Sequence, residues 1–139
     1  MPSKFVVSLA LVMSLNALVV KAEQVSLSFN NLKGMGCYST APVGCSEDKL
    51  LNPLTATLFK NAKGDKKLLM GSMEYESVPS PSKDALIFLG LDANPEKGWA
   101  VLELVSIDVK NRKVSIVGTR STSVFEKPIY QLMGDLSFE

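Results

Sequence analysis

Short apolar segments separated by turn residues run through this chain from Val25 to its end, and this pattern restricts the fold more than any other feature. Residues 25–29 alternate apolar and polar side chains, as a strand with one buried face does. Residues 85–91 are apolar on both faces, and their short run favours a buried strand over a helix. With seven or eight such segments, the sequence predicts an all-β domain, either an antiparallel sandwich or a small closed barrel.

The first 22 residues have the composition of a secretory signal peptide. Lys4 precedes a nearly unbroken apolar run over residues 5–20, and Ala22 ends a small-residue cleavage site. The run is shorter than the roughly 20 apolar residues of a spanning helix and is interrupted by polar side chains. We expect a signal peptide over 1–22 and a single β-domain over 23–139. The mature protein is then secreted or periplasmic, without stable membrane insertion.

Charge in the predicted mature domain is nearly balanced. Two of the 15 Lys and Arg residues lie in the leader, so 13 basic residues stand against 14 acidic ones. A nucleic-acid-binding domain carries a basic stripe with interleaved aromatic side chains. The nearest candidate, the lysines of residues 60–67, is interrupted by Gly64 and Asp65, which predict a hairpin turn. We therefore expect no nucleic-acid partner.

Cys37 and Cys45 are the only cysteines in the chain. An even number of cysteines in an exported protein indicates a disulfide. Their spacing differs from the CxxC of thiol-exchange enzymes, so we expect a structural bridge. A loop closed in this way loses less entropy on binding than a free loop. Tyr38, Pro42 and Val43 are the candidate contact residues of this loop.

The inventory of reactive side chains argues against most forms of catalysis. The chain has no His, which removes the commonest general base and the commonest transition-metal ligand. A serine can instead be activated by a lysine in a Ser-x-x-Lys motif, which occurs at Ser46 and Ser80. Chance alone provides about as many matches, and neither comes with the other motifs of the enzymes that use such a serine. Glu74 and Glu76 share one strand face and form a candidate carboxylate pair. We expect no catalytic residue, no metal site and no cofactor.

Residues 99–109 and 113–124 are predicted to form a hairpin, with Asn111 as the left-handed turn residue. In this register Glu103 faces Arg120, which gives a cross-strand ion pair. Apolar residues face each other along the same side: Val109 with Val114, Ile107 with Ile116, and Val105 with Gly118. A shift by one residue would turn this apolar face away from the core.

Two further local predictions concern the first half of the domain. Residues 54–60 and 67–76 are predicted as two strands joined by a turn in which Gly64 adopts a positive φ. Residues 46–51 are predicted as one helical turn, ended by Pro53 because the residue before a proline avoids the α region.

Three functions stay open at this point. The leading expectation is a non-enzymatic exported domain that binds a protein or another extracytoplasmic macromolecule through the disulfide-clamped loop. The first alternative is a carrier of a small apolar ligand inside a barrel, with Phe88, Trp99 and Val101 near its lumen; a solid interior would exclude it. The second is a hydrolase that uses carboxylates without His, for which two close carboxylates in a cleft would be needed.

Overall fold

Nine strands make up the part of the protein that the computed structural model describes, residues 24–38, 44–121 and 127–139. They are β1 Gln24–Tyr38, β2 Gly44–Lys49, β3 Leu54–Lys60, β4 Lys66–Met70, β5 Met73–Val78, β6 Ala85–Asn94, β7 Trp99–Asp108, β8 Lys113–Arg120 and β9 Ile129–Phe138. These ranges contain no helix, and hence none that could cross a membrane. The all-β prediction is confirmed. The predicted signal peptide lies outside the described residues.

Eight of the strands close into an antiparallel barrel. From β3 to β9 each strand pairs with the next along the chain, β1 pairs with β3, and β9 pairs with β1 to complete the ring. The ninth strand, β2, pairs with the second half of β1. Of the two predicted architectures, the chain adopts the closed barrel, which leaves no free edge among its eight strands.

The barrel interior is filled with apolar side chains over much of its length. Inward and outward side chains alternate along the strands, as the period of two requires. Phe29, Phe88 and Val105 have no exposed surface. The other members of this core are Leu27, Leu32, Ala56, Leu68, Tyr75, Ile107, Val114, Ile116, Tyr130, Leu132 and Leu136. Burial of each large apolar side chain stabilises the fold by about 2 kcal/mol.

A β-bulge reverses which side of β1 faces the interior. Asn31 has a φ of 54°, and the register with β9 shifts at this point. Leu27 and Phe29 are buried before the bulge, and Leu32 is buried after it. The extra residue therefore moves the inward set from odd to even numbers. Gly134 lies opposite, where an added Cβ would be 2.9 Å from the Leu32 side chain.

The hairpin of β7 and β8 forms, but its predicted register is wrong by two residues. Glu103 pairs with Gly118, and Arg120 pairs with Val101. Glu103 and Arg120 are therefore not cross-strand partners. Because the displacement is an even number, the same side chains still face the interior.

The turn between β7 and β8 explains the displacement. The Asp108 carboxylate accepts hydrogen bonds from the backbone N–H of Asn111 at 3.0 Å and from its Nδ2 at 2.9 Å. These bonds close the turn at the pair of Asp108 and Lys113. Arg112, with a φ of 56°, is the left-handed residue, so the prediction for Asn111 is wrong.

Residues 67–76, predicted as one strand, form parts of two. β4 ends at Met70, β5 begins at Met73, and these two residues pair across the turn. Gly71 has a φ of 64° there, a conformation that glycine adopts without steric cost. The predicted turn with Gly64 is confirmed, since that residue has a φ of 85°.

The helical turn predicted for residues 46–51 is wrong. This segment belongs largely to β2, whose partner is the second half of β1. The pairs of Tyr38 with Gly44 and of Lys33 with Lys49 mark the two ends of this ladder. The inter-strand hydrogen bonds and the adjacent disulfide outweigh a weak local helical preference.

Candidate functional site

Two adjoining cavities open at one end of the barrel. Their volumes are ≈ 340 Å³ and ≈ 400 Å³. Met70, Glu103 and Arg120 line both, so the two cavities are parts of one space around these side chains. The lining includes the β4–β5 turn, the start of β7 and the end of β8, which places the space at this mouth of the barrel.

A carboxylate lies between the two cavities, at their inner end. Glu103 is 9% exposed, and its Oε1 and Oε2 accept hydrogen bonds from the hydroxyls of Tyr75 and Tyr130, respectively. Such charge-assisted bonds offset much of the cost of burying a carboxylate. The Arg120 guanidinium lies 4.2 Å from the centre of the Tyr130 ring, a cation–π contact. We call Tyr75, Glu103, Arg120 and Tyr130 the polar cluster.

Two glycines make room for the tyrosines of the polar cluster. Glu103 pairs with Gly90 on β6 and with Gly118 on β8, and these glycines pair in turn with Tyr75 and Tyr130. A Cβ at Gly90 would lie 2.5 Å from the Tyr75 ring, and one at Gly118 would overlap the Tyr130 ring. Five successive strands thus contribute Tyr, Gly, Glu, Gly and Tyr in one row. Each tyrosine lies across a glycine and so reaches the carboxylate.

Burial and hydrogen bonding raise the pKa of Tyr75 and Tyr130 well above its ordinary value. Burial is the larger cause for both, followed by the hydrogen bond to Glu103, which favours the protonated phenol. Arg120 acts on the pKa of Tyr130 in the opposite, weaker sense. Both phenols are therefore protonated at neutral pH, and they serve as hydrogen-bond donors rather than as general bases.

Apolar and aromatic side chains form the walls of the cavities. Met70, Met73, Trp99 and Val101 line the first, and Leu54 lines the second. Trp99 is half-buried and is the only Trp of the chain. Methionine side chains adapt to irregular shapes, which suits a surface that contacts a ligand.

Charged side chains of both signs border the mouth. Asp92 lies in the first cavity, and Asp48 and Lys127 lie in the second. The Lys127 Nζ is 5.4 Å from the centre of the Tyr38 ring. The aliphatic part of Lys127 crosses Gly36, where an added Cβ would be 2.7 Å from the lysine Cδ. The mouth therefore has no strong preference for one sign of charge.

The predicted disulfide is confirmed, and it joins Cys37 and Cys45 at directly opposite positions of β1 and β2. Tyr38 follows the bridge and is half-buried. Pro42 and Val43, the other two candidate contact residues, lie outside the described residues. The predicted contact surface of this loop stays a prediction.

The side chains expected near a lumen are divided between cavity and core. Trp99 and Val101 line the first cavity, whereas Phe88 is fully buried in the packed interior. Glu74 and Glu76 are exposed on the outer side of β5, where Glu76 lies 3.6 Å from the Lys67 Nζ. They are thus remote from the cavities. Over the described ranges, no group of three or more His, Cys, Asp or Glu could hold a metal ion.

Sequence reasoning missed four residues around Glu103: Tyr75, Tyr130, Gly90 and Gly118. Each lies at an inward position of its strand, and each glycine interrupts the inward side of its strand directly after a large apolar residue, Phe88 before Gly90 and Ile116 before Gly118. This interruption is the one signal in the sequence, because a glycine in a strand often marks a close approach of another group. Which group approaches depends on the register of five strands.

The candidate site is therefore a product of the whole barrel, with its polar cluster spread over β5 to β9. The apolar walls and the charged border come from the same end of the ring. A comparison with protein-family models, with curated proteins and with solved structures finds no match for this chain.

Proposed function

We propose that this protein binds a small amphipathic molecule in the open end of its barrel. The observation that carries this proposal is the pair of adjoining cavities, ≈ 340 Å³ and ≈ 400 Å³, with apolar walls and a polar inner end. Small-molecule sites typically measure ~300–1,000 Å³ and combine mostly apolar walls with a few placed polar groups. An eight-stranded barrel is wide enough for one such ligand.

The chemistry of the lining indicates where each part of the ligand lies. Its apolar part contacts Met70, Met73 and Trp99, and its polar group is directed toward Glu103. The two oxygens of a carboxylate offer about four acceptor positions, and the two tyrosines use two of them. A ligand hydroxyl, amide or amine can therefore donate to Glu103. A purely apolar molecule would remove water from the polar cluster without replacing its hydrogen bonds, which costs free energy.

Trp99 provides the direct test, because the only Trp of the chain lines the cavity. Primary alcohols from hexanol to dodecanol are titrated while Trp99 emission and the heat of binding are recorded. Each added methylene that becomes buried contributes about 0.8 kcal/mol, which is about fourfold in affinity. We expect this increase until the cavity is full. No change in emission and no heat with any chain length would contradict the proposal.

A cavity-filling variant with a matched control separates the cavity from the outer surface. Val101→Phe places a larger side chain in the first cavity, whereas Leu69→Phe enlarges an exposed residue on the outside of β4. We expect Val101→Phe to weaken alcohol binding at least tenfold and Leu69→Phe to leave it unchanged. Far-UV circular dichroism establishes that both variants fold. Equal affinities of the two variants would place the bound molecule elsewhere.

The disulfide supports a second candidate function, the binding of a macromolecule through the loop between Cys37 and Cys45. The same bridge is compatible with secretion or a periplasmic location, where disulfides persist. The test is the double replacement Cys37→Ser and Cys45→Ser, followed by recovery of partners from the extracytoplasmic fraction. A folded double variant that recovers the same partners as the wild type would show that the closed loop is not the contact surface.

A further inference from the structure

The outer side of strands β6 to β9 carries no charged side chain over a wide area. Outward positions within residues 87–93, 100–106, 115–119 and 129–133 are all apolar or neutral. Large apolar residues pair directly across the strands: Leu89 with Leu104, Leu91 with Leu102, and Leu104 with Val117. We call this surface the neutral face. Charges begin at its borders, with Glu76 beside Leu89 and the pair of Asp108 and Lys113 at one end.

Much of the neutral face is accessible to solvent. Leu91 is 71% exposed, and Ile129 and Met133 on β9 are 57% and 56% exposed. Leu89, Leu102, Leu104 and Val117 are between 37% and 43% exposed. With roughly 100 Å² for one fully exposed large aliphatic side chain, as burial energies imply, these seven residues expose on the order of 350 Å² of apolar surface.

This apolar area is close to what a protein dimer buries. A typical interface covers ~800 Å² on each partner, of which somewhat more than half, on the order of 450 Å², is apolar. The small outward residues Ala93 and Ala100 extend the neutral face beyond the seven large ones. The largest apolar patch on a typical monomer covers ~300–600 Å² and often has a function, so a patch of this size is a candidate contact surface.

We propose that the neutral face is the contact surface of a homodimer, in which it packs against the same face of a second copy of this chain. A two-fold axis brings neutral rows against neutral rows and leaves no charge buried without a partner. A highly charged partner or an anionic lipid surface would find no counter-charge on this face. Each of the four strands of the neutral face is paired on both sides within the ring, so copies that meet at this face pack face to face rather than by added strand pairing.

The experiment measures the mass of the purified protein by sedimentation velocity from about 1 to 100 µM, because interfaces of ordinary size have dissociation constants in the micromolar range or below. We expect the wild type to be a dimer at 100 µM, and either to dissociate toward 1 µM or to stay dimeric throughout. Leu102→Glu places a charge at the centre of the neutral face and should weaken the dimer at least tenfold. Leu69→Glu is the matched control, because Leu69 on β4 is 40% exposed and Leu102 is 42% exposed.

Several results would overturn the proposal. A wild type that stays monomeric at 100 µM, or a Leu102→Glu variant that dimerises as strongly as Leu69→Glu, would contradict it. Assemblies larger than a dimer would exclude the closed two-fold contact. A monomer that sediments with phosphatidylcholine vesicles, and loses this binding in Leu102→Glu, would show a lipid surface as the occupant. Far-UV circular dichroism and Trp99 emission establish that each variant is folded.

Discussion

At the scale of single residues, the surroundings of Glu103 depend on groups that the barrel brings from four other strands. Tyr75 and Tyr130 donate to its two oxygens, and Gly90 and Gly118 leave the space that their rings occupy. A buried carboxylate without donors would cost several kcal/mol. The two glycines therefore matter for stability through the tyrosines that they accommodate.

Replacement of Gly118 by Ala tests this arrangement. The added methyl would overlap the Tyr130 ring and move its hydroxyl away from Glu103. Overpacking and the loss of one charge-assisted hydrogen bond together lower the free energy of unfolding by about 3 kcal/mol. Urea denaturation followed by circular dichroism measures the change. Gly44→Ala is the control, because a Cβ there meets nothing within 4 Å, and equal costs for both variants would contradict the prediction.

The raised pKa of Tyr75 and Tyr130 predicts a loss of stability at alkaline pH. Below about pH 10, the ordinary pKa of tyrosine, both groups are protonated in the folded and unfolded states and add no pH dependence. Above it the unfolded chain releases these protons while the barrel retains them, so the free energy of unfolding falls as pH rises toward the folded-state pKa. With two tyrosines the slope is about 2.7 kcal/mol per pH unit.

Urea denaturation between pH 9 and pH 11.5, with tyrosinate absorbance at 295 nm as a second signal, measures this slope and shows when the phenols ionise. Tyr130→Phe should reduce the slope by about half, because one of the two retained protons is removed. The denatured protein is the control, since its tyrosines ionise with the ordinary pKa. A native protein in which all tyrosines ionise at their ordinary pKa while the barrel stays folded would contradict the prediction.

At the scale of elements, β2 differs from the barrel strands because it is held from one side. Within the described ranges it pairs with β1 alone, and most of its residues are exposed. The bridge between Cys37 and Cys45 lies near one end of this ladder, and Leu50 donates a backbone hydrogen bond to Leu32 at the other, with an N···O distance of 2.8 Å. The position of β2 therefore depends on the disulfide more than the closure of the barrel does.

The double variant Cys37→Ser and Cys45→Ser should loosen β2 and leave the barrel folded. The chain-entropy model assigns about 2.5 kcal/mol to a ring of this size. We expect amide hydrogen exchange to accelerate in Gly44–Lys49 and to change little in Trp99–Asp108. Hydrogen exchange followed by mass spectrometry measures both segments. An equal acceleration in both would show that the bridge supports the whole fold.

At the scale of the whole molecule, closure of the ring makes the barrel one cooperative unit. β9 pairs with β8 on one side and with β1 on the other, so the last strand of the chain secures the first. Leu136 on β9 is 4% exposed in the common core, and Trp99 lies at the mouth on β7. Unfolding at either position should therefore involve the entire ring.

Leu136→Ala tests this cooperativity. The cavity left by the smaller side chain should lower the free energy of unfolding by about 3 kcal/mol. Urea denaturation followed by Trp99 emission and by far-UV circular dichroism should give two midpoints that coincide and shift together. A Trp99 transition that stays in place while the circular dichroism transition moves would contradict a single cooperative unit.

The local pattern of the sequence was sufficient to predict several features of this protein. Alternating and apolar runs predicted strands, and turn residues such as Gly64 predicted one hairpin correctly. The presence of only two cysteines correctly predicted the disulfide between Cys37 and Cys45. These features depend on neighbours along the chain and on the alternation of side chains across a sheet. The same reasoning failed where Gly71 divides one predicted strand into two and where pairing with β1 makes most of residues 46–51 part of β2.

Only the tertiary structure decided between a sandwich and a barrel, because that choice depends on the pairing of β1 with β9 across most of the chain. It also decided the register of β7 and β8. A displacement of two residues keeps the same apolar side chains facing the core, so the sequence pattern fits both registers equally well. In the observed register, Glu103 accepts hydrogen bonds from Tyr75 and Tyr130 and does not face Arg120 across the strands. Alternation determines which side of a strand is buried, whereas the partners that meet inside the ring follow from pairings between distant segments.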